Sequence, residues 1–408
     1  MNPTTDCCKR RTLLGGALAG LAAGALVDTR LAFAKERTGD VFVLLSLRGG
    51  FDGLSAVVPA GDPAYYTARP DIAVPRNRLI GGDRMFGLNP ALAPLLPFWT
   101  AGTFGAVHAA GQPAPNRSHF AAMEELERAA PGTSIRTGWL DRMLGGLGAD
   151  DPLSGVSVGG ARPARVLEGP APHVGIGSVD GFVLNGEAAD RPLASTMAAL
   201  YEDAPAALAG TTDRMLGALG TTKRLQEAGY TPANGARYPD TDLGKALRDV
   251  ARLIKADVGL IGATVDSGDW DMHENLGAPT KGRKMYDHLA DLAAALAAFA
   301  TDLGPAGLNR VTLVTVSEFG RRVTQNGSGG LDHGYGNAMF LLGGNVQGGR
   351  VHGTWPGLAP AKLVDGDLAV TTDYRAVIGE ILRTRCGVGD TGAVFPGVTP
   401  SRLGVVTG

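Results

Sequence analysis

The chain has 408 residues, of which 44% are hydrophobic and 19% charged, a balance that fits a globular protein with a sizeable core. A formal net charge of -2 leaves no basic excess, which argues against nucleic acid as a partner. Two of the three cysteines, Cys7 and Cys8, fall in the N-terminal leader and only Cys386 follows it, which excludes a disulfide framework within one mature molecule.

The N-terminus reads as a leader. Lys9, Arg10 and Arg11 form a basic head, Leu13 to Val27 is apolar, and Ala32-Phe33-Ala34 is a small-x-small cleavage pattern. Residues 1–34 are therefore expected to be removed. Arg10-Arg11 followed by Thr12-Leu13-Leu14 resembles a twin-arginine signal. The apolar run is too short for a membrane span, so no stable span is expected after cleavage. Periplasmic or secreted location follows, with the twin-arginine translocase as a partner during export. That route carries folded cargo, which suits a protein that takes up a metal or cofactor before leaving.

Residues 35–408 are expected to form one α/β domain. Asp40 to Leu47 is a continuous apolar run ending at Gly49-Gly50, the mark of a strand buried on both faces. Thr103 to Ala109 is a second such run, followed by a helix over Ser118 to Ala129. Residues of about 150–235 are rich in Gly, Ala and Pro and suggest an insertion or cap. A helix is expected over Leu243 to Ile254 and a strand over Val258 to Val265. From Met285 to Leu303, apolar residues at 285, 289, 292, 296, 299 and 303 alternate in steps of four and three, one face of a helix. Val311 to Val316 and Met339 to Leu342 complete the strands. Strands alternating with helices imply a mostly parallel sheet covered on both faces.

In such sheets ligands bind beyond the carboxyl ends of the strands, and four polar clusters fall there. Arg48-Gly49-Gly50-Phe51-Asp52-Gly53 follows the first strand. Asp52 either projects its carboxylate over the sheet edge or bonds its own turn. Asn116-Arg117-Ser118-His119 opens a helix. Ser118 is an N-cap or a nucleophile, the helix N-terminus favours a phosphate or sulfate group, and Arg117 is positioned to grip that anion. His119 is a ligand, a general acid or a packing residue. Asp266-Ser267-Gly268-Asp269-Trp270-Asp271-Met272-His273 places three carboxylates and an imidazole within eight residues, which repel one another unless a cation, a proton or solvent intervenes. Asp271 and His273, two apart, point the same way in an extended chain, and carboxylate with imidazole suits zinc, manganese or iron. Ser317-Glu318-Phe319-Gly320-Arg321-Arg322 is followed by Asp332-His333-Gly334, whose adjacent side chains can each reach a different ion of a close pair. His108, at a strand end, is a candidate supporting residue.

Taken together, the segments LSLRGGFDGLSAVVPAGDPAYYTARP, NRSHFAAMEELE, DSGDWDMHENL, SEFGRR, LDHGYGNAMFLLGG and TTDYRAVIGEIL resemble the DUF1501 family. That family looks like a branch of the alkaline phosphatase and sulfatase superfamily. The resemblance implies a three-layer sandwich with a mostly parallel central sheet, and one or two divalent ions (Zn, Mn, Mg or Ca) over its carboxyl edge. Carried over residue by residue, it makes Asp52, Asp271, His273, Glu318, Asp332 and His333 the metal set, and Ser118, His119 and Arg117 the catalytic set. Asp269 stands where the family usually has Gly. The expected activity is hydrolysis of a phosphate or sulfate ester, with a small anionic ester or an envelope polymer as partner. The alternative is a non-enzymatic periplasmic binding or structural protein that keeps the fold. Cys386 is followed by Gly-Val-Gly and NRSHF lacks a C/S-x-P-x-R pattern, so formylglycine chemistry is not expected.

Overall fold

The computed structural model describes residues 39–114, 116–399 and 401–408; the expected leader lies outside the described residues. In chain order the strands are β1 (Val41–Leu47), β2 (Val57–Val58), β3 (Gly87–Leu88), β4 (Phe104–Gly111), β5 (Gly155–Val158), β6 (Val174–Ile176), β7 (Gly262–Ser267), β8 (Val311–Val316), β9 (Asn337–Gly343), β10 (Val351–His352) and β11 (Thr372–Asp373). β2 and β3 form a small antiparallel pair. The others form one sheet in the order β10-β4-β9-β8-β1-β7-β5-β6, with β11 also on β4. β9 runs antiparallel to β4 and β8, while every other pairing is parallel. This is an α/β fold with a mixed, mostly parallel sheet.

All seven residues of β1 are buried because the strand lies at mid-sheet between β7 and β8. Alternate side chains leave opposite faces. Val43, Leu45 and Leu47 pack with Leu247, Val250, Leu289 and Leu296 from helices Asp242–Lys255 and Lys284–Leu308. Phe42 and Leu44 pack with Leu140, Met143, Val377 and Ile381 from helices Trp139–Gly146 and Tyr374–Arg385. Helices thus cover both faces and the molecule has three layers.

The six periodic residues of Lys284–Leu308 are all buried, each contributing about 1.5–3 kcal/mol over an exposed position. The helix breaks at Gly304, whose φ of 63° is non-helical and which precedes Pro305, just past the expected end at Leu303. This helix is as long and apolar as a membrane-spanning one, yet 56% of its most apolar window is buried inside the protein. The strand expected over Val258 to Val265 starts later, at Gly262, because pairing begins with Phe42 opposite Gly262 and the chain turns at Asp257, φ 52°. The stretch 150–235 divides. Its first part supplies β5 and β6, which extend the main sheet, and its second part forms helices Leu193–Tyr201 and Ala206–Ala228.

The topology sets the site. β4, β8, β1 and β7 share one direction, so the segments after Gly111, Val316, Leu47 and Ser267 leave the sheet at one edge.

Candidate metal centre

Two glycines allow these segments to meet. Gly49 and Gly50 have φ of 113° and 67°, in the region that side chains disfavour. A Cβ on Gly49 would lie 2.6 Å from the amide nitrogen of Asp271, and one on Gly50 would lie 2.6 Å from the Phe319 ring. The Gly49 N–H donates to Glu318 Oε1 at 2.8 Å and the Phe51 N–H to Ser317 Oγ at 2.9 Å. Arg321, almost wholly buried, fastens the same junction. Its guanidinium donates to the carbonyls of Gly50 (2.6 Å), Leu331 (2.8 Å), Trp270 (3.2 Å) and Gly49, and to Asp271 Oδ1 at 2.6 Å. One side chain therefore links the segments that follow β1 and β7 with the one that precedes β9.

Three imidazoles face one another across this junction. His119 opens helix His119–Arg128, His273 lies beyond β7, and His333 lies before β9. Each is held from behind through Nδ1. His119 Nδ1 lies 2.8 Å from Glu318 Oε1, His273 Nδ1 lies 3.1 Å from Asp332 Oδ1, and His333 Nδ1 lies 2.8 Å from the Arg117 carbonyl. All three partners accept, so each Nδ1 is assigned as a donor and Nε2 is the ring atom that faces inward; the tautomers are assigned from this network. The Nε2 atoms converge on Asp271. Oδ1 lies 3.0 Å from His273 Nε2 and 3.3 Å from His333 Nε2, and Oδ2 lies 3.5 Å from His119 Nε2. The Nε2 atoms of His273 and His333 are 2.9 Å apart. His119 Nε2 is screened from solvent and has no hydrogen-bond partner. One ligand atom each from His119, Asp271 and His333 lies within 4.8 Å of the others, a grouping able to hold a metal ion.

Local charges and burial act on Asp271, His333 and Asp332. Partial burial opposes ionisation of Asp271, but the Arg321 guanidinium, helped by His273 and His119, brings its carboxyl down to about 2. Burial, reinforced by Arg321, lowers His333 below the usual imidazole range. The hydrogen bond from His273 lowers Asp332. A cleft of about 490 Å³ opens beside the cluster, lined by His119, Asp271 and Glu318 on one side and by Arg48, Phe120 and Arg165 among the rest.

Residues 93–379 match the family described as Protein of unknown function (DUF1501). The chain belongs to this family. Among curated proteins no match is found. Among solved structures, the chain is similar to the crystal structure of PsFucS1 sulfatase from Pseudoalteromonas sp. at 12% identity and a TM-score of 0.37, covering 90% of this chain and 73% of the other.

In this DUF1501 chain the structure brings together Asp271, His273 and His333 of the expected metal set and adds His119 to them. Other expectations need correction. Asp52 is not at the cluster. It lies buried under a bidentate ion pair with Arg69, at 2.6 and 2.9 Å, and both its oxygens are committed there. Glu318 and Asp332 sit behind imidazoles rather than among the converging atoms. Glu318 is fully engaged by His119, Gly49 and Ser317, and Asp332 Oδ1 accepts from His273 and Asn326. Adjacent residues of a chain point apart, which sends His333 inward and Asp332 to the rear. Arg117 does not offer a free guanidinium to an anion. It pairs with the buried Asp367 and stacks 4.5 Å from the Tyr335 ring centroid, and its backbone carbonyl is what serves the site. Ser118 is the N-cap residue, but its side chain makes no capping hydrogen bond and it is exposed. His108 is remote in role, its ring stacked on Phe86 with Nε2 toward the Val57 carbonyl. Arg321 was present in the SEFGRR segment without an assigned task. A charged residue next to a Gly at a strand end was the only signal available.

Proposed function

We propose that this DUF1501 protein is an exported hydrolase of phosphate or sulfate esters that holds one divalent ion with His119, Asp271 and His333, with His273 beside them. One observation carries the reading: three imidazoles, each held through Nδ1, direct their Nε2 atoms at one carboxylate. Unless a cation or a proton stands between them, these nitrogens and the carboxylate oppose one another. Metal–nitrogen bonds of about 2.0–2.1 Å set neighbouring donors roughly 3.3 Å apart, and the contacts of Asp271 with His333 and His119, 3.3 and 3.5 Å, lie close to that value. The orphaned His119 Nε2 supports it further, since buried polar atoms lacking partners are rare. Imidazole donors favour zinc or a similar transition metal over calcium. The carboxylate–imidazole pairs Glu318–His119 and Asp332–His273 are the arrangement that orients metal-binding histidines.

When bound, the ion supplies positive charge against the ester oxygens. The chain contributes the rest. Arg165 lies on the wall of the cleft, where Arg48 is already paired with Glu127 and Asp266, and the free N–H groups at the start of helix His119–Arg128 favour an anion. Ser118, whose hydroxyl is not spent on capping its helix, is the proposed nucleophile. Its oxygen bonds to phosphorus or sulfur as the alcohol leaves, and water then releases the inorganic anion. The basic, apolar and small-residue order of residues 9–34 supports export.

The test is elemental analysis of the purified mature chain with a turnover screen on p-nitrophenyl phosphate and p-nitrophenyl sulfate. His119→Ala is expected to lose the metal, and Ser118→Ala to keep the metal and lose turnover. Protein that holds no metal and stays inactive after zinc or manganese is added ends the proposal. Bound metal without turnover, with Ser118→Ala unaltered in function, favours the binding-protein alternative.

A further inference from the structure

Phe120 is 91% exposed, the highest value among the exposed large hydrophobic residues described. Unlike the other exposed apolar side chains, it stands in the wall of the cleft, on the first turn of the helix that carries His119. Met123, three residues on and hence on the same helix face, lines the cleft beside it. An open phenyl ring leaves apolar surface in water at every moment the cleft is empty, a cost that burial against a ligand removes. The cleft volume of about 490 Å³ lies in the range of small-molecule pockets, about 300–1,000 Å³. It exceeds the need of an inorganic oxyanion, and Phe120 lines the same cleft as His119 and Asp271. Arg165, also on the wall, is ion-paired with Glu124 at 3.4 Å and adds a polar group to the cleft.

We infer that Phe120 is a specificity-determining platform for the organic part of the ester, selecting substrates in which the phosphate or sulfate is joined to a ring with a flat, apolar face. This rests on the proposed ester hydrolase. The anion is held by the histidine cluster and the start of the helix, and the ring of the leaving alcohol lies over Phe120 and Met123. Aryl alcohols and the apolar face of a sugar ring share the required chemistry, while short alkyl esters lack it.

The experiment uses the full mature chain loaded with zinc and non-hydrolysable probes, with Kd measured by calorimetry for methylphosphonate, phenylphosphonate and glucose 1-C-phosphonate. The wild type is expected to bind one or both ring probes about tenfold more tightly than methylphosphonate, the size of effect that one aromatic contact supplies. The phenyl and glucosyl arms separate an aryl from a sugar source. Phe120→Ala should erase the preference while leaving methylphosphonate affinity and zinc content unchanged, and Phe120→Trp should keep it. Because the ring is on the surface, neither variant threatens folding. Equal affinity of the wild type for all three probes, or uniform weakening in Phe120→Ala, overturns this inference and leaves the ester hydrolase standing. Zinc-loaded protein that binds none of the three overturns both.

Discussion

Replacing Asp52 by Ala separates a structural ion pair from a metal ligand. Arg69 has no exposed surface and its guanidinium makes five hydrogen bonds. Two go to Asp52 at 2.6 and 2.9 Å, and the others to Ser55 Oγ at 3.1 Å, the Val323 carbonyl at 2.9 Å and the Arg322 carbonyl at 2.9 Å. Without Asp52 the cation remains buried with three neutral acceptors and no counter-charge. Breaking a buried pair from one side costs about 3–5 kcal/mol, and the three surviving bonds place this case near the lower end. A loss of about 3 kcal/mol is a large part of a typical stability of 5–15 kcal/mol. For a chain of this length it corresponds to a melting-point drop of about 4 °C. The assay is urea unfolding followed by far-UV circular dichroism, with metal content measured on the folded fraction. Asp52→Ala is expected to lower the midpoint and leave metal stoichiometry unchanged. The double variant Asp52→Leu/Arg69→Met, which removes both charges, should recover much of the loss. A single variant within 1 kcal/mol of wild type, or one that loses metal at unchanged stability, refutes the assignment of Asp52 to the framework.

Three further outcomes are expected. Glu318→Gln weakens the acceptor behind His119 and should reduce metal affinity by about 10–100-fold in a competitive chelator titration; unchanged affinity would mean that Glu318 does not act through that ring. Burial lowers His108 to about 4, against about 6.5 in an unfolded chain, and the residue is 2% exposed. The unfolded state therefore binds the extra proton, so stability present above about pH 6.5 is lost as the pH falls toward 4, by about 3 kcal/mol at most. Comparing urea midpoints at pH 7 and pH 4.5 in wild type and His108→Asn checks this, and equal pH sensitivity would contradict it. Gly49→Ala forces a side chain into positive φ and to within 2.6 Å of the Asp271 amide. It should cost about 1–3 kcal/mol and disturb metal binding, and a neutral result in both urea unfolding and metal titration would show that the junction yields.

Much of the fold was legible from side-chain polarity alone. Val311 to Val316, apolar but for two threonines, is β8 to the residue, because a strand covered by helices on both faces has no solvent side to encode. The four-and-three spacing from Met285 to Leu303 marked a helix face that is buried throughout. β5 and β6 were not legible. At four and three residues, with Gly155 and Gly175 inside them, they carry too little pattern, and pairing of β5 with β7 and of β6 with β5 is what makes them strands.

The types of residue at the candidate centre were equally plain, since carboxylates and imidazoles crowded at strand ends need neutralising and the chain order alone reveals them at Asp271, His273 and His333. Which of them face inward was decided only by the tertiary structure. His119 joined the converging atoms because β4 delivers its helix to the same edge as β1, β7 and β8, while Glu318 and Asp332 were turned to the rear of the rings and Asp52 was captured by Arg69. Ligation depends on directions and separations of a few ångströms between segments up to some 200 residues apart, as with His119 and Glu318. A linear order of side chains specifies which chemistry is available, whereas packing specifies which lone pair points where.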